Sequence, residues 1–175
     1  MTITLNTPRL TLRRWREDDI EAMAAINSDP EVMRWIGDGS VRDRAQTAAG
    51  IAAWEEEWEE RGIGLFAAEL REEKQLVGFV GLMVPAYLPE VMPAVEIGWR
   101  LGRSYWGRGL ATEGARAVLD FALRERDLAR VVSVHHTGNT ASERIMLKLG
   151  MRRERETVHP EFGIPLRVYV LETQS

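Results

Sequence analysis

Apolar positions along the chain follow the period of strands in some runs and the period of helices in others. The strand-like runs predict strands over residues 10–15, 64–70, 76–84, 94–101, 130–136, 151–158 and 166–171. Helical spacing and capping signals predict a helix that opens at residue 17 and further helices over residues 28–37, 42–60, 109–125 and 140–150. This order predicts an α/β (α+β) fold, in which helices flank a mixed, mostly antiparallel central sheet.

Two of these helices carry more specific signals. In the helix over residues 42–60, Ile51, Trp54 and Trp58 recur at helical spacing and predict one buried stripe. Acidic residues between positions 55 and 60 fill much of the opposite side, which indicates a solvated face, with steering of a substrate as the alternative. Thr140 and Glu143 have the spacing of a capping box, which predicts the start of the helix that ends at residue 150.

The segment from Trp99 to Ala115 places a glycine-rich turn between an apolar strand and a helix. The start of a helix leaves backbone N–H groups unpaired and carries the positive end of the helix dipole, so it binds phosphate. Gly107 and Gly109 lack a Cβ, which lets a phosphate approach the main chain. Such a turn is also common as a plain connection, and the sequence fits neither a Walker loop nor a dinucleotide fingerprint. The element order favours a seat for another phosphate-bearing cofactor.

Composition narrows the function classes. The chain has 175 residues, of which 45% are hydrophobic and 29% charged, as expected for one globular domain spanning residues 1–175. The net charge of −4 argues against a dedicated nucleic-acid binder. The absence of cysteine excludes thiol nucleophiles and cysteine-ligated metals. No signal peptide or apolar span suited to a membrane is expected, and a cytoplasmic location is the simplest interpretation.

Several segments, taken in order, resemble one known family. They are Thr7–Arg13, Asp29–Met33, Glu96–Gly98, Tyr105–Glu113 and Asn139–Gly150. Together they are similar to the GNAT superfamily of acetyl-CoA-dependent N-acetyltransferases, and more closely to its RimJ/RimL-like branch, which acetylates ribosomal protein N-termini. The resemblance covers residues 7–172. It implies the GNAT fold with acetyl-CoA as co-substrate, and no metal is expected.

The resemblance also implies where acetyl-CoA binds. The family's pyrophosphate motif aligns with Trp106-x-x-Gly109-x-Ala111, in which Trp106 replaces the usual glutamine or arginine. Backbone N–H groups of residues 108–112 are the expected phosphate donors, and Arg103 or Arg108 would add an ion pair. The strand over residues 95–101 is expected to part from its neighbour and to bind the pantetheine arm through its main chain. The residues implied to bind the cofactor are Trp99, Leu101, Trp106, Gly107, Arg108, Gly109, Leu110, Ala111, Thr112 and Asn139.

Amine attack on a thioester needs a proton acceptor, a donor that stabilises the oxyanion and a proton for the leaving thiolate. The resemblance implies Glu96 as the base, and a structural carboxylate paired with an arginine is the alternative. Many relatives carry a tyrosine where this chain has Met146, which cannot donate a proton. Ser142 is therefore the expected donor, with a local role at the helix start as the alternative. Other candidates for the base or the acceptor pocket are His135, His136, His159, Trp35, Tyr87 and Glu90.

The expected function is the transfer of an acetyl group from acetyl-CoA to a primary amine, directly within a ternary complex. The amine acceptor is either a protein N-terminal α-amino group or a small molecule, and the sequence leaves both open. A non-catalytic sensor or regulator that binds acetyl-CoA on the same fold is the alternative, which the loss of the family's tyrosine makes possible. A homodimer is possible, because dimers occur in the family.

Overall fold

The structure is a computed structural model that describes residues 2–173. The strands in these residues are β1 (Leu5–Asn6), β2 (Leu10–Arg13), β3 (Leu65–Leu70), β4 (Leu76–Met83), β5 (Glu96–Leu101), β6 (Arg130–His136), β7 (Arg152–Val158) and β8 (Pro165–Glu172). The α-helices are α1 (Ile20–Asn27), α2 (Pro30–Met33), α3 (Arg44–Arg61), α4 (Leu110–Asp120) and α5 (Thr140–Lys148). No helix within residues 2–173 is both long and apolar enough to cross a membrane.

The strands form one sheet in the order β1-β2-β3-β4-β5-β6-β8-β7. Every neighbouring pair is antiparallel except β5 and β6, which run parallel. This parallel pair is short: Glu96 pairs with Val132, and the side chain of Ser133 donates to the carbonyl oxygen of Ile97 at 2.9 Å. The ladder ends there although both strands continue, so β5 and β6 part toward their carboxyl ends. The mixed, mostly antiparallel sheet confirms the predicted fold class.

Two apolar clusters cover the central strands because β4 and β5 alternate their side chains between the faces of the sheet. On one face, Val80, Leu82 and Ile97 pack with residues of α4. On the other face, Phe79 packs with residues of α1, α2 and α3. Ile51 and Trp58 of the predicted stripe are buried and Trp54 is half-buried. The sheet therefore separates α4 from α1 and α2, whereas α3 contributes Ile51 to one cluster and Trp58 to the other.

Several element boundaries differ from the prediction. The structure adds the short strand β1, and β2 ends at Arg13 rather than at residue 15. Helix α2 ends at Met33 rather than at Gly37, because the chain turns there and Gly37 and Gly39 adopt positive φ angles of 53° and 84°. The long helix after the turn, predicted to residue 125, is α-helical to Asp120 and continues as a π-helical turn over Phe121–Glu125.

The predicted capping box at the start of α5 is wrong. Asn139 is the residue that caps this helix, and its side chain accepts a hydrogen bond from the backbone N–H of Ser142 at 3.3 Å. Glu143 instead points to the sheet, where it accepts hydrogen bonds from Arg167 and Tyr169. A long-range ion pair thus replaces the local bond that the spacing predicts.

The acidic side of α3 is largely solvated, as predicted, but two of its glutamates are half-buried and make contacts. Arg14 on the chain after β2 donates to both oxygens of Glu55 and to Glu59. Glu57 accepts a hydrogen bond from the backbone N–H of Val84, beyond the end of β4. Glu55 and Glu57 therefore help to fix α3 in place, whereas Glu56, Glu59 and Glu60 are exposed.

Candidate active site

The glycine turn before α4 has the geometry of an anion seat. Gly107 and Gly109 have positive φ angles of 71° and 75°, which residues with a Cβ rarely adopt. Gly109 is the N-cap of α4 and supplies no side-chain cap, so the first N–H groups of the helix point into the turn unpaired by a side chain. A Cβ added at Gly107 would meet no atom within 4 Å, which leaves open space above the main chain. The turn can receive a phosphate group.

Residues of the chain before β2 hold this turn in place through hydrogen bonds. Glu113, in the first turn of α4, accepts hydrogen bonds from the hydroxyl of Thr7 at 2.6 Å and from the side chain of Arg9 at 2.9 Å. Arg9 also donates to the carbonyl oxygen of Arg108 at 2.8 Å. Two segments about a hundred residues apart in sequence therefore meet here and fix the glycine turn.

A cavity of about 400 Å³ opens beside the turn, between β5 and α5. Arg144 and Lys148 of α5 line it, and they form no ion pair with any carboxylate in the described residues. Arg108 is also exposed and likewise unpaired in residues 2–173. Arg103 is different, because it makes two hydrogen bonds with Asp29 at 2.9 and 3.0 Å. The structure therefore offers Arg108, but not Arg103, as a free phosphate ligand.

Trp106 stands where the family motif has glutamine or arginine. Its side chain contacts the main chain before the turn. Its indole N–H donates to the carbonyl oxygen of Leu101 at 2.9 Å, while its ring remains 47% exposed. The side chain of Leu110 is buried in the core, so this residue can offer a ligand only its backbone N–H. Ala111 and Thr112 also line the cavity, in the first turn of α4.

A second cavity, of about 390 Å³, adjoins the first along β5 and reaches the turn between α2 and α3. Some residues line both cavities, so that the two meet where β5 and β6 part. These shared residues are Trp35, Ile36, Trp99, Arg100, Asn139 and Ser142.

Glu96 lines the second cavity and is buried. Its carboxylate accepts a hydrogen bond from the hydroxyl of Tyr87 at 3.0 Å. Burial raises the pKa of Glu96 to about 7, although hydrogen bonds from Tyr87 and the backbone of Val134 act in the opposite direction. No arginine in residues 2–173 pairs with Glu96, so the structure does not support the alternative of a structural ion pair. A carboxylate with a pKa near neutrality is suited to general base catalysis.

Ser142 lies at the junction of the two cavities. Its hydroxyl oxygen accepts a hydrogen bond from the indole N–H of Trp99 at 3.3 Å and one from the side-chain amide of Asn139 at 3.1 Å. Within the described residues the hydroxyl donates to no acceptor, so its own proton is available to another group. Met146, at the position of the family's tyrosine, is buried and lines the second cavity.

The three histidines occupy different surroundings. His135 is buried: its Nδ1 lies 2.7 Å from the carbonyl oxygen of His136, and its Nε2 lies 3.3 Å from Glu143. Burial lowers the pKa of His135, which favours the neutral ring. His136 packs against Trp35, with their ring centroids 4.7 Å apart. His159 stacks on the ring of Tyr87 at the edge of the second cavity. The adjacent histidines thus contact different surroundings, as the alternation of a strand predicts.

The residues that line the second cavity differ in part from those expected on the acceptor side. Glu90, an expected lining residue, is instead bound to Arg155 and Thr157 of β7. Sequence reasoning missed Arg42 and Arg100, which line the second cavity. The signal available for Arg100 was a second charged residue, besides Glu96, in the otherwise apolar strand β5.

Comparisons with known proteins agree with this geometry. A family model described as an acetyltransferase (GNAT) domain matches residues 9–152. The uncharacterized N-acetyltransferase YoaA of Bacillus subtilis (strain 168) is 30% identical, over 86% of this chain and 83% of its own. The crystal structure of an acetyltransferase (GNAT family) from Bacillus anthracis has a TM-score of 0.81 at 28% identity and covers 97% of this chain and 98% of that chain.

A further solved structure, the RimL ribosomal L7/L12 α-N-protein acetyltransferase in complex with coenzyme A, has a TM-score of 0.82. Its identity to this chain is 15%, over 97% of this chain and 98% of that chain. At this identity the likeness concerns the fold, which agrees with the resemblance to the RimJ/RimL-like branch.

The raised pKa of Glu96 predicts an effect on stability that does not depend on activity. The folded protein holds the Glu96 proton up to a pKa of about 7, whereas the unfolded chain releases it near 4.5. Stability therefore falls as pH rises through this window, by about 3 kcal/mol at roughly 1.4 kcal/mol per pKa unit. Glu96→Gln removes this loss. Urea unfolding should show the variant gaining stability relative to wild type between pH 4.5 and pH 8.

The exposed substitution Glu56→Gln is the matched control and should show no such trend. A stability difference between Glu96→Gln and wild type that is equal at both pH values would contradict the burial of an ionisable carboxyl group at this position.

Proposed function

The chain belongs to the GNAT acetyltransferase family, and we propose that it transfers the acetyl group of acetyl-CoA to a primary amine within a ternary complex. The observation that supports this most is that two adjoining cavities lie along β5 and share Trp99 and Ser142 in their linings. In this arrangement the first cavity holds the cofactor and the second holds the amine. The acceptor is a protein N-terminus or a small-molecule amine, and both present the same nucleophile.

The residues of the first cavity fit acetyl-CoA. The turn at Gly107 and Gly109 offers unpaired N–H groups for a pyrophosphate, and Arg144 and Lys148 of the lining offer positive charge, to which the exposed Arg108 of the turn adds. The coenzyme A held by the RimL protein supports the same ligand here. When bound, acetyl-CoA supplies the acetyl group as a thioester, and the C–S bond is exchanged for a C–N bond to the amine.

Glu96 acts as the general base in this proposal. An alkylammonium or α-ammonium group must lose a proton before its nitrogen can attack, and a buried carboxylate can accept that proton directly or through one water. The hydroxyl of Tyr87 donates to the carboxylate and holds it in place. A pKa of about 7 keeps a large share of Glu96 ionised at neutral pH.

The hydroxyl of Ser142 would donate a hydrogen bond to the leaving thiolate, and the thiol proton would then come from solvent. The oxygen of this hydroxyl already accepts hydrogen bonds from Trp99 and Asn139, which hold it in place. Its own hydrogen donates to no acceptor in the described residues, so it is available to a ligand. A free thiol has a pKa of about 8.5, so this proton is a modest requirement at neutral pH. Much of the rate then comes from holding the amine beside the thioester.

Glu96→Gln should lower kcat/KM for an amine acceptor about 100-fold at pH 7.5, because general base catalysis typically contributes roughly 10²–10⁴-fold. Wild-type kcat/KM should rise with pH through the pKa of Glu96, about 7, and the variant should lack this rise. The assay is thiol release at saturating acetyl-CoA, with Glu56→Gln as the control. An unchanged pH profile in the variant would remove Glu96 as the base. Tight acetyl-CoA binding without turnover of any amine would instead support the sensor.

Ser142→Ala should lower kcat several-fold while leaving the acceptor KM close to the wild-type value, since the hydroxyl acts on the leaving group. The matched control is Thr140→Ala, which removes a hydroxyl from the start of the same helix, two positions earlier. Steady-state kinetics at several pH values provide the measurement. A wild-type kcat in Ser142→Ala would return this residue to a local role at the start of α5.

A further inference from the structure

Arg100 is a buried cation without a carboxylate partner. Its side chain is 8% exposed, lies over the ring of Phe79 at 4.9 Å and donates from Nη1 to Asn27 Oδ1 at 2.9 Å. Within residues 2–173 neither Nε nor Nη2 donates a hydrogen bond, and no acidic side chain forms an ion pair with it. A buried charge of this kind is costly unless a counter-ion arrives.

The free edge of this guanidinium carries the two donors that a carboxylate binds. Nε and Nη2 are the pair of donors through which arginine binds a carboxylate with two parallel hydrogen bonds. Asn27 holds the opposite edge, and Asn27 is itself held by Thr47, to which its amide donates at 3.0 Å. Phe79 supports the face of the fork. The group is therefore fixed before any ligand binds.

Arg100 shares a face of β5 with Glu96, since residues two apart on a strand point the same way. Gly98 lies between them, and a Cβ added there would meet no atom within 4 Å. All three line the second cavity, together with Arg42. The floor of this cavity thus has a base at one end, open space above a glycine in the middle and two cations at the other end. Burial, and after it the positive charge of Arg42, lower the pKa of Arg100 to about 9, so an anion beside the guanidinium favours its charged form.

We propose that Arg100, assisted by Arg42, binds a carboxylate carried by the acceptor, so that the substrate is a small amino acid rather than a protein N-terminus. This inference rests on the proposed function, because it names the amine that the second cavity receives. In a protein N-terminus the α-carboxyl group is part of a peptide bond and has no charge to offer Arg100. The aromatic rings of Trp54, Phe79 and Tyr87 line the same cavity and suit an apolar side chain on the acceptor.

The test uses matched amines that differ only in this charge. Wild-type protein is assayed by thiol release with L-phenylalanine, L-methionine, glycine, β-alanine and 4-aminobutyrate, each beside its carboxamide, which mimics a peptide N-terminus. At least one acid should exceed its amide at least tenfold in kcat/KM. Arg100→Gln should lower kcat/KM for that acid at least tenfold more than it lowers kcat/KM for the amide, which removes the preference. Arg124→Gln, on the exposed π-helical turn after α4, is the control.

Two further measurements test the carboxylate site without relying on Arg100→Gln. Arg42→Gln alters a half-buried residue outside the strands and should reduce the preference even if Arg100→Gln does not fold. Calorimetry with the N-acetylated acid and amide reports binding without turnover, and only the acid should bind wild-type protein. Equal use of acids and amides would overturn the carboxylate site and leave N-acetylation intact. Failure to acetylate any amine of a wider panel, including peptides and polyamines, would overturn the proposed function and this inference with it.

Discussion

The parting of β5 from β6 is the constraint on which the candidate site depends. The strands share one register pair, at Glu96 and Val132, and then separate within an otherwise continuous sheet. Backbone groups on the facing edges lose their ladder partners beyond that point, and buried backbone groups require partners. The same gap joins the two cavities, so in the proposed function one feature of strand pairing provides both the place of the cofactor and the passage to the amine.

Two buried arginines show how pairing separates a structural charge from a functional one. Arg13 is buried between Asp19 and Glu69, with N···O distances of 2.8 and 2.9 Å. Its charge is therefore already paired, and these bonds join the chain before α1 to the sheet. Arg100 is equally buried but has an amide and an aromatic ring in place of carboxylates. Low dielectric surroundings make the second arrangement unfavourable until an anion binds. The contrast between the two residues, rather than burial alone, points to a ligand.

Much of the fold could be predicted from the sequence because strong periodicity decides the type of an element. The hairpin of β3 and β4, predicted over 64–70 and 76–84, was correct to within one residue at each end. The end of α2 was missed, because only the positive φ angles of Gly37 and Gly39 stop the helical pattern. The cap of α5 was also misassigned, because Asn139 and Thr140 are adjacent polar residues and Glu143 is drawn away by Arg167.

The candidate site was predictable in its parts but not in its connections. Gly107, Gly109 and Glu96 follow from turn chemistry and from the resemblance to the family. The contact between Tyr87 and Glu96 depends on a loop with two prolines whose path periodicity does not define. Arg103 could not be distinguished from Arg108 as a phosphate ligand, since its partner Asp29 lies more than seventy residues earlier in the chain. Arg100 became informative only once the structure placed no carboxylate beside it.

The central claim is that the gap between β5 and β6 and the turn before α4 together form a seat for acetyl-CoA. Calorimetric titration of the purified protein with acetyl-CoA tests this most directly, with a double variant, Arg144→Gln with Lys148→Gln, measured alongside. We expect one-site micromolar binding to the wild type and weaker binding to the double variant. No detectable binding to the wild type would contradict it and would leave Gly107 and Gly109 as residues of a purely structural turn.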